Sequence, residues 1–283
     1  MINKFNISAN IVARNEKYWI KESILSIVEL VDEIIYVDDK SDDGTLDAVI
    51  ELSSVYKNIK IFTHEDHGLS HLGDLKNFAK NKSSNKLVLR WDADFIAYDE
   101  IVNLFKFATA NINKYDGYIL KGPNLEGDIW HTNSDKDHFG PEIYLFNQYK
   151  MKFVQTERYN DHPIFDKDTK YCYPLKTKLK RNHFFIHTNK LKSLKRLSYR
   201  RRMSEYLNSN FNGSYWQFIH PDMNEIDAIN LEIEKLKNET YNLVAFDFEK
   251  WGKHPEILLN SEYASIFKIK EFSEQFKLDY PEN

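Results

Sequence analysis

Two aspartates, Asp92 and Asp94, stand one residue apart at the end of a short apolar run. The run, residues 87–89, has the composition of a buried strand, so both carboxylates would lie at the edge of a sheet. Carboxylate oxygens are hard ligands that suit Mg²⁺ or Mn²⁺, and such ions often bridge to substrate phosphates. A metal ion at this edge would neutralise a departing diphosphate. The D-x-D pattern is also common at ordinary strand ends, so by itself it leaves both interpretations open.

Polar residues also follow two other predicted strands. The first strand runs into Asn15 and Glu16, and the second ends at Asp38 and Asp39. The carboxyl ends of parallel strands share one edge of a sheet, and ligands of open α/β sheets bind at that edge. The carboxylates of Asp38 and Asp39 could accept hydrogen bonds from a ribose or a base N–H, and charged acceptors make the stronger hydrogen bonds. The alternative for this pair is ordinary turn chemistry.

Strand and helix patterns alternate along residues 7–98, which predicts βαβ units and a mostly parallel sheet. The strand candidates are short apolar runs, as expected for parallel strands that are buried on both faces. The segments between them carry apolar residues at helical spacing. We therefore predict an α/β fold with a central sheet flanked by helices and a helical C-terminal extension. The predicted strands cover residues 7–13, 33–38, 59–62 and 86–91, and the predicted helices cover residues 20–31, 46–56, 72–80, 101–110, 225–238 and 241–251.

Three segments, in their order and spacing, resemble family 2 glycosyltransferases of the GT-A fold, which is Rossmann-like. They are Asn-Ile-Val-Ala-Arg-Asn-Glu at 10–16, Asp-Glu-Ile-Ile-Tyr-Val-Asp-Asp-Lys-Ser-Asp-Asp-Gly-Thr at 32–45, and Leu-Val-Leu-Arg-Trp-Asp-Ala-Asp at 87–94. The resemblance implies inverting transfer from a nucleotide sugar, with UDP as the leading nucleotide and Mn²⁺ or Mg²⁺ on the donor diphosphate. The acceptor would be a hydroxyl of a glycan, a lipid-linked glycan or a cell-surface polysaccharide. One departure is Lys-Ser-Asp-Asp at 40–43 where Gly-Ser-Thr-Asp is usual, which leaves the nucleotide open.

The resemblance also assigns roles residue by residue. Asp38 and Asp39 would bind the base and ribose of the donor. Asp94 matches the direct metal ligand of the family, and Asp92 is the other acidic residue of the same motif. Lys76 stands where the family often has arginine, on the helix before the metal strand, and would touch the donor. The implied donor-binding residues are Ala13, Asn15, Glu16, Asp38, Asp39, Lys76, Asp92, Ala93 and Asp94.

An inverting transfer needs a general base that deprotonates the acceptor hydroxyl. We expect this base on a loop well after the metal motif, with Asp161 as the leading candidate and Glu157 as the alternative. A loop carboxylate without a catalytic role would give the same sequence pattern. His187 corresponds to a late histidine that several GT-A enzymes use as an additional metal ligand, and neutral imidazole suits Mn²⁺. The alternative for His187 is a hydrogen-bonded histidine near the core.

The resemblance suggests how the chain is divided. We predict a catalytic domain over residues 1–205 and a helical extension over residues 206–283. Residues 1–98 would bind the nucleotide sugar, and residues 99–205 would form the acceptor side. Two rival functions remain open at this point. A nucleotidyltransferase has a similar sheet but usually carries a glycine-rich basic loop after its first strand, which is missing here, and a non-catalytic nucleotide-sugar-binding protein would keep the same donor pocket.

Bulk composition narrows the partners and the location. The net charge of −4 gives no general attraction for nucleic acid. The single cysteine excludes an internal disulfide and fits a reducing compartment. Because no segment approaches the roughly 20 apolar residues of a membrane span and the N-terminus does not look like a signal peptide, we expect a cytoplasmic protein. Residues 176–202 contain no acidic residue, and this basic stretch would close over a diphosphate, meet an anionic membrane surface or form a solvated helix face.

Overall fold

The computed structural model describes most of the chain, and its residues fall into two compact units. The first unit comprises residues 1–123, 138–187 and 247–260, and the second comprises residues 124–137, 188–246 and 261–283. The described residues are 4–65, 68, 71–156, 160–192, 194–198, 205–206, 209, 211–237, 242–266, 268–269 and 278–279.

The secondary structure follows the predicted alternation in its first hundred residues. The strands are β1 Phe5–Ala13, β2 Val31–Asp38, β3 Ile59–Thr63, β4 Leu87–Arg90, β5 Phe95–Ala97, β6 Gly117–Glu126, β7 His131–Asn133, β8 His138–Asn147, β9 Met151–Val154, β10 His162–Phe165, β11 Tyr171–Cys172, β12 Phe185–Lys190, β13 Leu243–Ala245, β14 Lys268–Ile269 and β15 Leu278–Asp279. The helices are α1 Ile20–Leu25, α2 Thr45–Val55, α3 Leu72–Lys82, α4 Ile101–Ala110, α5 Leu194–Ser198, α6 Tyr215–Ile219, α7 Glu225–Lys237, α8 Phe248–Trp251, α9 Glu256–Leu259 and α10 Glu262–Ile266.

The central sheet of the first unit has the strand order β6-β8-β4-β1-β2-β3. The four strands at one side, β4, β1, β2 and β3, are parallel. Strand β8 runs antiparallel to β4, and β6 runs antiparallel to β8. The parallel strands are those that the alternation with helices predicted, because a parallel pair needs a crossover connection. The predicted α/β fold, with a central sheet flanked by helices, is confirmed.

Both faces of the parallel strands are covered, and the strands alternate their side chains between the two faces. Ile34 and Tyr36 belong to the large core that also contains residues of α1, α2 and α4. Ile35 and Val37 instead pack with Leu75, and with Ala79, of α3. Successive side chains of a strand point to opposite faces, so one apolar run supplies both layers. This double burial explains why the strands are continuous apolar runs rather than alternating ones.

A buried glutamate ties the strands together at the edge opposite their carboxyl ends. Glu33 accepts hydrogen bonds from the Ser8 hydroxyl at 2.5 Å, from the Lys60 ammonium at 2.6 Å, and from the backbone N–H and hydroxyl of Ser84 at 2.6 and 2.7 Å. Burial alone would raise the pKa of Glu33, but these hydrogen bonds outweigh it and hold the pKa at about 2. The glutamate therefore links β1, β2, β3 and the segment before β4 through one charge.

The second unit contains short strands and helices of its own. Strand β13 pairs antiparallel with β7, and Thr132 of β7 lies opposite Leu125 near the end of β6. A capping box begins α6, in which Ser214 accepts a hydrogen bond from the backbone N–H of Gln217 and the Gln217 side chain accepts one in return. His220 lies 2.8 Å from Glu232 of α7.

Two expectations about the C-terminal region have different outcomes. The helix predicted over residues 225–238 is found as α7, whereas the helix predicted over residues 241–251 is a strand, β13, followed by the short α8. Asp247 separates the two, because its side chain accepts a hydrogen bond from the backbone N–H of Lys250 and starts a new helix there. The predicted boundary between residues 205 and 206 stays a prediction. In the described part of the chain, no helix is long and apolar enough to span a membrane.

Candidate donor and metal site

The carboxyl ends of β1, β2 and β4 meet at one edge of the sheet. Ala13 lies in register with Asp38, and the Asp39 N–H donates a hydrogen bond of 2.9 Å to the Ala13 carbonyl. On the other side of β1, the Trp91 N–H donates to the Asn10 carbonyl at 2.9 Å. The sheet therefore places the ends that carry Asp38-Asp39 and Asp92-Ala93-Asp94 on either side of β1.

Asp38 and Asp39 are both buried, and hydrogen bonds fix their positions. The two oxygens of Asp38 accept from the Tyr36 hydroxyl and from the Ser41 N–H, each at 2.9 Å. Burial and the neighbouring Asp38 carboxylate raise the pKa of Tyr36 far above its usual range, so the phenol stays protonated and remains a donor. Asp39 accepts from the Gly68 N–H at 2.6 Å. The pair is therefore held rigidly at the strand end.

The loops after β1 and β2 are fastened to each other. The Asn15 side chain donates to Asp42 at 2.7 Å and accepts from the Asp42 N–H at 2.9 Å, and the Glu16 N–H donates to the Thr45 hydroxyl at 2.8 Å. Asn15 has a φ of +58° and Lys40 a φ of +56°, both in the left-handed region. Asparagine tolerates that region, whereas lysine pays roughly 1 kcal/mol or more there. The strain at Lys40 falls where the family usually has glycine, so this chain keeps the turn in spite of the substitution.

Asp94 has a histidine beside it. Both Asp94 and His187 are buried, with 5% and 4% of their surface exposed, and His187 Nε2 lies 3.3 Å from an Asp94 carboxylate oxygen. The contact arises because β12 pairs antiparallel with β5, with His187 opposite Phe95. His187 Nδ1 is also buried and has no hydrogen-bond partner. The contact brings together two residues that the resemblance assigned to the metal, and their role as ligands stays a prediction.

The pair fits two neighbouring ligands of a divalent ion. Two ligands at right angles on an octahedral ion, each at 2.0–2.1 Å, lie about 3 Å apart, close to the separation seen here. Over the described residues, no three His, Cys, Asp or Glu side chains group closely enough to hold a metal ion. An ion of this class commonly binds one or two protein ligands and takes the rest from substrate phosphates and water. The ligand role of Asp92 stays a prediction.

One face of α3 holds the segment that carries Asp161. The Gly73 N–H donates to the Asn160 carbonyl at 3.0 Å, and the Lys76 ammonium pairs with the Asp161 carboxylate at 2.5 Å. The Asn77 amide donates to the Phe153 carbonyl at 2.8 Å, and its oxygen accepts from the Phe153 N–H at 2.9 Å. Positions three and four residues apart share one helix face. These contacts therefore hold residues 153 and 160–161 against the same face of α3.

The ion pair sets the protonation of Asp161. Burial by itself would raise the pKa of Asp161, but the charge and hydrogen bond of Lys76, with a smaller effect of Arg90, lower it below its usual value. Asp161 is therefore ionised at neutral pH. Lys76 and Asp161, which the sequence assigned to opposite sides of the site, contact each other. Glu157, the alternative base, lies outside the described residues.

Arg90 is a charged residue that the sequence reasoning missed. It is buried, its guanidinium pairs with Glu142 at 2.5 Å, and it lies 4.4 Å from the centre of the Tyr144 ring. Arg90 also lines a small cavity of about 10 Å³ together with Lys76 and Asp92. Two buried nitrogen atoms, Nε of Arg90 and Nε1 of Trp91, have no hydrogen-bond partner. A signal was available, because Arg90 is a charged residue that directly follows the apolar run 87–89 and precedes Asp92 by two positions.

Comparison with known proteins identifies the family. The model of Glycosyl transferase family 2 matches residues 8–173. An uncharacterized glycosyltransferase of Rickettsia felis is 30% identical over 174 residues, which are 59% of this chain and 57% of that protein. An uncharacterized glycosyltransferase of Rickettsia bellii is 28% identical over 179 residues, which are 60% of this chain and 56% of that protein. The chain thus spans just over half the length of these curated relatives. The crystal structure of S. aureus TarS 1-349 in complex with UDP aligns at 16% identity and a TM-score of 0.45, over 82% of this chain and 70% of that one. On the family match, the chain belongs to glycosyl transferase family 2.

Proposed function

We propose that the protein is a metal-dependent inverting glycosyltransferase. It moves a hexose from a nucleoside diphosphate sugar, with UDP as the leading nucleotide, to a hydroxyl of a glycan, a lipid-linked glycan or a cell-surface polysaccharide. The observation that carries the proposal is the buried Asp94–His187 pair in a member of this family. Asp38 and Asp39, which hydrogen bonds fix at the end of β2, supply the part of the donor site that binds the nucleoside.

On the donor side, Asp38 and Asp39 bind the ribose and the base. Hydrogen bonds already fix both carboxylates, so donor binding does not need to order them. Ala13, Asn15 and Glu16 form the neighbouring wall of the same pocket, since their loop is fastened to the loop after β2. Asp92 and Ala93 lie on the strand end that faces the diphosphate.

Asp94 and His187 would hold the Mn²⁺ or Mg²⁺ ion. Such an ion, when bound, stabilises the charge that develops on the leaving diphosphate. Around this pair the protein contributes a dry, preformed site, because Asp94 and His187 are both almost fully buried. Lys76, 12% exposed, adds a positive charge close to Asp92.

Asp161 acts as the general base, with Glu157 as the alternative. Its ionised carboxylate can accept a proton, but pairing with Lys76 makes it a weaker base. The donor diphosphate competes with Asp161 for the Lys76 ammonium. As the ion pair weakens, the pKa of Asp161 rises, because its burial favours the protonated form. Donor binding thereby strengthens the base.

The test compares Asp94→Asn with Asp74→Asn, an exposed aspartate on α3. Thermal shift with UDP-sugars measures donor binding in the presence and absence of Mn²⁺, and release of UDP measures turnover. We expect Mn²⁺-dependent stabilisation and turnover in the wild type and in Asp74→Asn, and the loss of both in a folded Asp94→Asn variant. Undiminished Mn²⁺-dependent turnover in Asp94→Asn would refute the proposed metal site. Donor binding without turnover, with a range of acceptors present, would favour a non-catalytic binding protein.

The cytoplasmic location and the peripheral membrane contact are further parts of the proposal. The basic stretch 176–202 supports a contact with anionic lipid.

A further inference from the structure

An open groove of about 670 Å³ lies at the end of α4, lined in part by Lys114, Tyr115 and Lys170. It is at the edge of the sheet opposite to the donor site. Tyr171 pairs with Gly117 at the start of β6, and Gly117 pairs with β8 near its end. The same end of β8 pairs with Leu87, the first residue of β4. The aspartates of the donor site follow the other end of β4. The groove is therefore separate from the proposed catalytic machinery.

Lysines and aromatic rings alternate around this groove. The Lys114 ammonium lies 5.1 Å from the centre of the Tyr115 ring, and the Lys178 ammonium lies 5.9 Å from that of Phe107. Phe107 and Tyr115 stack with their centres 6.3 Å apart, which joins the two pairs into one surface. Cationic side chains therefore cover the end of α4.

The segment after the groove exposes apolar side chains next to further lysines. Tyr171, Tyr173 and Leu175 are 41%, 51% and 53% exposed, while Cys172 and Pro174 between them are buried. This alternation turns every second side chain to solvent. A further lysine, Lys176, lies 5.3 Å from the centre of the Tyr173 ring. We call this surface the basic aromatic strip, and its members are Lys114, Tyr115, Lys170, Tyr171, Tyr173, Leu175, Lys176 and Lys178.

Nearby carboxylates have other partners. Asp116 accepts hydrogen bonds from the Asn147 side chain at 2.9 Å and from the Lys170 N–H at 3.2 Å. Asp166 and Asp168 pair with Lys150 at 3.6 and 2.7 Å. The sequence from residue 169 to residue 181 contains no acidic residue. The strip is thus positive although the whole chain carries a charge of −4.

We propose that the basic aromatic strip docks on a membrane surface that contains anionic lipid. Lysines gain free energy near anionic head groups, and tyrosine is suited to the interface because its ring is apolar and its hydroxyl is polar. Exposed apolar side chains beside cations are the combination that lets a surface enter the head-group region. The proposal rests on the membrane contact in the proposed function. It keeps residues 176–178 of the basic stretch and extends the contact to residues 114–115 and 170–175.

The experiment compares two triple variants of the full chain. Tyr173→Ser, Leu175→Ser and Lys176→Glu together alter the strip. Ile50→Ser, Val55→Ser and Lys57→Glu together alter an exposed surface at the end of α2, where the two apolar residues are 50% and 69% exposed and the change in charge is the same. Co-sedimentation measures binding to vesicles of phosphatidylcholine alone and to vesicles that also contain phosphatidylglycerol.

The wild type and the α2 variant should bind the phosphatidylglycerol vesicles, with binding that weakens as salt is raised. The affinity of the strip variant for these vesicles should be lower by a factor of about 10 or more, since this variant loses both a positive charge and two interfacial side chains. Equal binding by the strip variant, equal binding of the wild type to both kinds of vesicle, or no binding by the wild type would overturn the proposal. No donor is present in this assay, and release of UDP measured without vesicles reports separately on the proposed transfer, so either idea can fail alone.

Discussion

Replacing Glu33 by Gln removes the one charge that links β1, β2, β3 and the segment before β4, at the edge opposite the proposed donor site. The side chain of Glu33 is 3% exposed, and its pKa is about 2 against an ordinary value of 4.5. That difference of about 2.5, at 1.36 kcal/mol for each pKa unit, corresponds to about 3 kcal/mol of stability at neutral pH. Half of the Lys60 side chain is in solvent, so part of the charge interaction is screened and this figure is an upper value.

The sign of the pH dependence follows from the lowered pKa. A carboxylate with a lowered pKa in the folded state contributes its full stability above pH 4.5, and this contribution is lost as the pH falls toward about 2. We therefore expect Glu33→Gln to lower the free energy of unfolding by about 2–3 kcal/mol at pH 7, with the gap from the wild type narrowing below pH 4.5. Urea unfolding followed by tryptophan fluorescence, at pH 7 and at pH 3, measures this gap.

A matched control is Glu51→Gln. Glu51 also forms a short ion pair, with Lys21, but its side chain is 69% exposed. Exposed pairs contribute a few tenths of a kcal/mol, so this variant should unfold close to the wild type at both pH values. If Glu33→Gln were as mild as the control, or if its effect were equal at pH 7 and pH 3, the charge would not be what holds the strands.

Two further predictions concern the face of α3. In Gly73→Ala the new methyl group would lie 2.8 Å from the Asn160 carbonyl oxygen, so the segment that carries Asp161 must shift. We expect kcat to fall about 10-fold with unchanged donor binding. The control variant Asp74→Ala, on the same helix, should keep the wild-type rate. In Lys76→Met the pKa of Asp161 should rise, since only the weaker effects, such as that of Arg90, then oppose burial. The acidic limb of the pH–rate profile should move to higher pH. An acidic limb at the wild-type position would show that Asp161 is not the base.

Much of the fold around the proposed donor site could be predicted from the sequence, because the patterns that define it are local. Short apolar runs separated by helical patterns define parallel strands, and parallel strands bring their carboxyl ends together without any knowledge of side-chain contacts. Asp38 and Asp94 could be placed at one edge on that basis alone. The contact of His187 with Asp94 came from the resemblance, since no local pattern relates residues so far apart in the chain.

The rest of the site depends on contacts that no local pattern encodes. Lys76 meets Asp161 across 85 positions, and Arg90 meets Glu142 across 52. Strand periodicity shows that a segment such as β8 is extended, but its partner is chosen by packing over the whole domain. For the same reason, Lys76 could be predicted as a donor contact and Asp161 as a base, but their ion pair could not be predicted from the sequence.

Helix α3 connects the strands of the proposed donor site to the segment of the proposed base, Asp161. Leu75 and Ala79 pack the helix against Ile35 and Val37 of β2, and β2 ends at the proposed donor aspartates. The opposite part of the helix surface holds the segment of Asp161 through Lys76 and its neighbours. Because a packed helix moves as a rigid body, the distance between the donor edge and the proposed base is set by side chains on a single helix. Apart from Lys76, which the proposal also places against the donor, substitutions on the Asp161-facing side of α3 should therefore change catalytic rate at constant donor affinity. Substitutions of its buried side should lower stability first.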